Sequence, residues 1–118
     1  MNLKSLNHSV YNLEYHIVWA TKYRKPIFDI DFLDIIEMRI REFLHRYDCD
    51  CISCSVQSDH VHILASIRPT FCLSDFIGKL KQYIRRDYIR RIPEFQKGYF
   101  VSSVGISDDI IRNYINSQ

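Results

Sequence analysis

No stretch of this chain approaches the roughly 18 to 20 consecutive apolar residues that a membrane-spanning helix needs. Met1 to Val10 likewise carries no basic segment followed by an apolar one, so no secretory leader is expected and cytoplasmic residence is the simplest reading. Glycine and proline are scarce, three of each in 118 residues, which excludes a collagenous or linker-rich chain. No glycine-rich loop of the kind that cradles nucleotide phosphates is present. Cysteine is sparse too. On a strand Cys49 and Cys51 share a face while Cys54 turns the other way, so with Cys72 distant the thiols do not converge on zinc or an iron-sulfur cluster. Buried, reduced thiols are expected.

What is present is an ordinary globular composition, 47% hydrophobic and 25% charged, over a length that suits one domain spanning residues 1–118. The net charge of +2 is modest but unevenly spread. Between Lys79 and Arg91 lie six cations (Lys79, Lys81, Arg85, Arg86, Arg90, Arg91) against the single acid Asp87, and a second cluster, Lys22, Arg24 and Lys25, lies near the start. Basic patches on a nearly neutral protein point to a polyanionic partner, because a solvated face needs charge but not charge of one sign.

Tyr11 to Ala20 alternates, with Tyr11, Leu13, Tyr15, Ile17 and Trp19 on one side and Asn12, Glu14 and His16 on the other, the period of a half-buried strand. Phe32, Ile36, Ile40, Phe43 and Tyr47 recur at helical spacing over 31–47, with Asp29 or Asp31 available as cap. Cys51 to Gln57 and His60 to Ile67 read as strands joined by a tight turn at Ser58-Asp59. A second helix opens at Ser74 and runs towards Pro93, carrying the main basic patch. Tyr99 to Val104 reads as a last strand, and Ser107 caps a short final helix. The order β-α-β-β-α-β predicts an α+β, ferredoxin-like antiparallel sheet with two helices on one face and the other face open.

On the strand from His60, alternation places His60, His62, Leu64 and Ser66 on the face opposite Val61, Ile63, Ala65 and Ile67. The two imidazoles point the same way, and at i, i+2 they can converge on one ion. By themselves they fit an ordinary polar strand face better than a metal centre, until a third ligand and a reacting group are found. Tyr114 and Gln118, four residues apart, lie on one face of the final helix. Taken alone, a tyrosine there is most simply a packing residue.

Together these residues form a pattern. Tyr15-His16-Ile17-Val18-Trp19-Ala20-Thr21-Lys22-Tyr23-Arg24, Asp59-His60-Val61-His62-Ile63-Leu64, Tyr99-Phe100-Val101-Ser102-Ser103-Val104-Gly105 and Tyr114-Ile115-Asn116-Ser117-Gln118 occur in order over nearly the whole chain. In these blocks the chain resembles the small single-tyrosine HUH transposases, the TnpA-like enzymes of IS200-like insertion sequences. The resemblance implies that His60, His62 and Gln118 hold a divalent metal while Tyr114 attacks a phosphodiester of single-stranded DNA. It also implies a homodimer in which the tyrosine helix of one subunit can complete the histidine site of the other, with cis or trans action left open, and recognition of imperfect hairpins near the element's ends.

The chemistry of these residue types agrees. Neutral His and Gln ligands leave an ion's charge available to polarise a phosphate oxygen, and two imidazoles with an amide oxygen suit Mg²⁺ or Mn²⁺ better than the thiolate sets of structural zinc. Tyrosine, with a free pKa near 10, needs positioning to act as a nucleophile, and its phosphotyrosine conserves the bond energy for rejoining. Lys79, Lys81, Arg85 and Arg86 could track a phosphate backbone, and Lys22 and Arg24 could contact DNA near the site. Tyr83 and Tyr88 read as core or flank rather than stacking platforms.

The chain departs from the family in running from Pro93–Gly98 directly into Tyr99, where relatives carry a further strand-like segment with a Trp, and in stopping at Gln118, where they continue. The alternative is therefore a catalytically impaired single-stranded nucleic-acid-binding module derived from such a transposase. A histidine-triad hydrolase is set aside, since Leu64 stands where that motif needs its third histidine.

Overall fold

The computed structural model describes residues 3–6, 9–105 and 108–116. A small hairpin of β1 (Lys4–Leu6) and β2 (Ser9–Tyr11) precedes β3 (Glu14–Ala20), α1 (Ile30–Arg46), β4 (Asp50–Val56), β5 (His60–Ser66), α2 (Leu73–Arg85), β6 (Phe100–Ser103) and α3 (Asp108–Asn116). The sheet order is β4-β5-β3-β6, with every neighbouring pair antiparallel. Each helix thus crosses between strands that are parallel but separated by one other strand, as the split βαβ reading requires.

Alternation decides which face the helices cover. Ile17 and Trp19 of β3 and Val61, Ile63 and Ala65 of β5 point to one side and are almost fully buried. Against them pack Ile36, Ile40, Phe43 and Leu44 of α1 and Phe76, Ile77, Leu80 and Ile84 of α2, in one continuous core. Each buried Ile, Leu or Phe stabilises the fold by about 1.5 to 3 kcal/mol relative to exposure, so this layer fixes the strand register. Asp29 caps α1, its carboxylate accepting from Asp31 N–H at 2.9 Å. Among the described residues the one charged side chain buried in this layer is Arg39. Its guanidinium donates to Tyr83 O at 3.1 Å and Asp87 at 2.7 Å, and it lies over the Tyr83 and Tyr88 rings.

Four sequence expectations are corrected. The strand read over 11–20 is broken at Asn12-Leu13: Tyr11 pairs with Lys4 in the hairpin, and Lys4 anchors that hairpin to Asp50 of β4. The helix from Ser74 starts at Leu73 and stops at Arg85 rather than running on towards Pro93. Beyond it the Arg85 guanidinium donates to the carbonyls of Ile89 and Ile92, and a succession of turns carries Ile92 into the core. Cys54 does not face away from Cys51. A bulge at Ile52 shifts the ladder between Cys51 and Ser53, so Cys51 opposes Ala65 and Cys54 opposes Ile63, both on the core side. Contact with Cys54 brings the Cys51 thiol down to about 7 and raises that of Cys54. Nor are all four thiols buried: all are free, but Cys51 and Cys54 are half-buried and Cys72 is exposed.

The 93–99 connection is short but ordered by pairing. Phe95 bridges to Thr21, Gln96 N–H donates to Ala20 O at 3.0 Å, and Phe95 meets Trp19 edge-on at 5.7 Å. The helix α3 is present, although its expected cap Ser107 lies outside the described residues. Among the described residues no helix is long and apolar enough to cross a membrane.

Candidate functional site

With the helices on one side, the other face of the sheet is open, and His60 and His62 stand on it. His60 opposes Ala20 on β3, while His62 opposes Val18 on β3 and Ser55 on β4. His62 is exposed and His60 half-exposed, so both rings reach solvent from a rigid ladder. The opposite phase of the same strand supplies Val61, Ile63 and Ala65 to the core, and this burial holds the histidines outward.

Two neighbours orient these rings. Asp59 Oδ1 lies 3.0 Å from His60 Nδ1. With Nδ1–H donating to the carboxylate, Nε2 keeps its lone pair for a ligand or ion. The other oxygen of Asp59 accepts from Arg24 Nε at 3.0 Å, and contact with His60 first and Arg24 second holds the Asp59 carboxyl below the usual carboxylate range. His16 Nδ1 lies 3.2 Å from His62 Nε2 across the β3–β5 ladder, with ring centroids 5.3 Å apart. One ring donates and the other accepts.

The sequence-predicted cations divide by environment. Lys81 is turned onto the protein, donating to the carbonyls of Gln96 and Gly98 at 2.9 Å and Lys97 at 3.3 Å, and burial pushes its ammonium below the ordinary lysine range. Arg85 is engaged with carbonyls as described above. Lys22 pairs with Glu94 at 3.3 Å and Arg24 with Asp59. Arg86 stacks over Tyr83 at 5.1 Å, and Lys79 is exposed on α2.

Tyr114 lies on α3, while Gln118 lies outside the described residues. Among the described residues no three His, Cys, Asp or Glu side chains form a group able to hold a metal ion. A metal held by His60 and His62 would need a further ligand of another residue type or from outside that set. The donors present fit a divalent ion, since two imidazoles share one solvent-facing side. Sequence reasoning gave His16 and Asp59 no role. The signal for His16 was its place on the polar phase of β3, beside β5 in the ferredoxin-like order; for Asp59 it was adjacency to His60.

Residues 9–118 match the family described as "Transposase IS200 like". The chain is 31% identical to the transposase for insertion sequence element IS200 of Salmonella typhimurium, over 98% of this chain and 82% of that protein. It is also 31% identical to the ISDra2 transposase TnpA of Deinococcus radiodurans, over 75% of this chain and 63% of that one. The crystal structure of a candidate transposase from Deinococcus radiodurans superposes with a TM-score of 0.76 at 26% identity, covering 98% of this chain and 97% of that one. A REP-associated tyrosine transposase bound to a REP hairpin shares the fold, with a TM-score of 0.65 at 11% identity over 96% and 71% of the two chains.

Proposed function

Because the chain belongs to the IS200-like transposase family, we propose that it cleaves and rejoins single-stranded DNA at hairpins through a covalent phosphotyrosine, as a single-tyrosine HUH enzyme of the cytoplasm. The observation that carries this reading is the seating of His60 and His62 on the open sheet face, with Asp59 fixing the His60 ring.

In this mechanism the Tyr114 oxygen attacks phosphorus: a P–O bond to tyrosine forms as a P–O bond to a deoxyribose oxygen breaks. That oxygen leaves as a hydroxyl once protonated, and the reverse attack by a strand hydroxyl restores the diester and frees the tyrosine. His60, His62 and Gln118 would hold Mg²⁺ or Mn²⁺, which when bound supplies a Lewis acid for the phosphate oxygens. Asp59 keeps the His60 proton on Nδ1, and His16 restrains the His62 ring. The relative that holds a REP hairpin makes hairpin DNA the natural substrate to test. A homodimer with shared sites is part of the proposal, as the family resemblance implies.

The test is a denaturation-resistant adduct between the protein and single-stranded hairpin DNA in Mn²⁺. It is expected to form with the unaltered protein and vanish with Tyr114→Phe or a chelator. Mixing Tyr114→Phe with His62→Ala is expected to restore it, because a mixed dimer regains one complete site. Recovery failing while each variant still dimerises would place α3 in its own subunit. Binding without any adduct would favour the second reading, a nucleic-acid-binding module, to which the short 93–99 connection lends weight.

A further inference from the structure

Two basic clusters far apart in sequence meet in space. Lys22 and Lys25, from the turn after β3, and Arg85, Arg90 and Arg91, from the end of α2 and the turns beyond it, line one groove of about 580 Å³. Among the described residues Asp29 and Glu94 are the only acids in that lining, and Glu94 is already paired with Lys22. The groove therefore presents a surplus of positive charge to whatever fills it.

Its rim carries two aromatic rings that stand out into solvent, one of them, Tyr23, with the Lys22 ammonium 5.4 Å from its centroid. Tyr23 is 90% exposed and Phe28 88% exposed, on either side of Pro26. Tyr23 is held out by unusual backbone: Tyr23 and Arg24 both adopt left-handed conformations, with φ of 58° and 56°, which side chains bearing a Cβ disfavour. Such a turn persists only where its surroundings over-determine it. Here Lys22 N–H donates to Glu94 O at 2.7 Å, Arg24 N–H to Thr21 O at 3.0 Å, and the Arg24 guanidinium to Asp59. The same Asp59 holds His60, so the turn that carries Tyr23 is tied through Arg24 and Asp59 to the histidine site.

The geometry points to this groove as a seat for unpaired nucleotides, with Tyr23 and Phe28 stacking on bases and Lys25, Arg90 and Arg91 neutralising the phosphates that follow. The assignment rests on the single-stranded DNA reading above and adds to it the residues that grip the strand. Single-stranded nucleic acid is the occupant favoured over duplex, because open ring faces have partners only where bases are unstacked, while surplus cations recognise the backbone regardless of sequence. The turn at Tyr23 then serves both to display the ring and to lead a bound strand towards His60.

Fluorescence anisotropy with labelled dT12 and with the duplex dA12·dT12 tests this. Tyr23→Ala and Phe28→Ala are each expected to weaken dT12 binding by about five- to a hundredfold, the range seen for loss of one base–aromatic stack. Tyr23→Trp is expected to restore binding, and the salt dependence should stay unchanged. Arg90→Ala and Arg91→Ala are expected to make that salt dependence shallower. Both rings are exposed, so an unchanged melting temperature separates lost stacking from lost folding. Unaltered affinity of the Tyr23 and Phe28 variants, or preference for the duplex with no effect of either change, overturns the assignment, as does failure of the unaltered protein to hold dT12. Adduct formation at hairpin DNA alongside unaffected ring variants would sink the groove while the catalytic reading stands. Ring-dependent dT12 binding without any adduct would do the reverse.

Discussion

His16 of β3 and His62 of β5 touch at 3.2 Å, Nδ1 to Nε2, although their Cα positions are offset by two places in the ladder. The contact is diagonal across adjacent strands, within reach of two planar rings on one face. It ties the orientation of a proposed ligand to a residue on the central strand. His16→Phe keeps the ring and removes the nitrogen, so Mn²⁺ affinity measured by calorimetry is expected to fall about tenfold, as losses of ligand-orienting partners do. An unchanged affinity would show that His62 needs no such restraint.

Arg39 and Asp87 supply a pH signature. The Arg39 guanidinium, hydrogen-bonded at 2.7 Å, holds the Asp87 carboxyl below the usual carboxylate range, with Arg86 adding to the effect. A carboxyl with a depressed folded-state pKa contributes stability above its unfolded value, near 3.9, and loses it as pH falls through the folded value. Asp87→Asn is therefore expected to melt below the unaltered protein at pH 6 to 7, the gap closing on acidification below about pH 4. Arg39→Ala, which also removes packing against two tyrosines, is expected to cost about 2 kcal/mol in urea unfolding.

Lys81 and Lys79 are two residues apart on α2 and are predicted to behave oppositely. Lys81 clamps the carbonyls of Gln96, Lys97 and Gly98, so Lys81→Met should lower the melting temperature and leave the salt dependence of single-stranded DNA binding nearly intact. Lys79 is exposed, and Lys79→Ala should leave stability unchanged. If Lys79 meets a phosphate, the log–log salt slope should shrink by about 0.7. Equal slopes for Lys79→Ala and the unaltered protein would remove Lys79 from the interface.

The outward phase of His60 and His62 was legible because strand alternation is strict and Val61, Ile63 and Ala65 have only one place to go. The helix ending at Arg85 was not, because its end is marked by a side-chain contact that periodicity does not encode: a guanidinium reaching carbonyls four and seven residues ahead. The break at Asn12-Leu13 follows from Tyr11 pairing with Lys4, a contact that alternation alone does not encode. The side chains of Cys51 and Cys54 share a side only because one extra residue, Ile52, is inserted between them in the ladder. The Tyr23 groove escaped sequence reasoning for a different reason. Its cations were visible, but their meeting depends on how Glu94 and Phe95 pair back onto the end of β3.

The bulge at Ile52 also bears on the outer edge of the sheet. β4 and β6 are the two outer strands, and an extra residue in β4 interrupts the regular row of amides and carbonyls that an incoming chain would copy. That flank is blunted against indiscriminate zippering, and the Lys4 tether adds charge at the same margin. The opposite flank, Phe100–Ser103, pairs with its neighbour in unbroken register, so the two margins of the sheet differ in regularity as well as in charge.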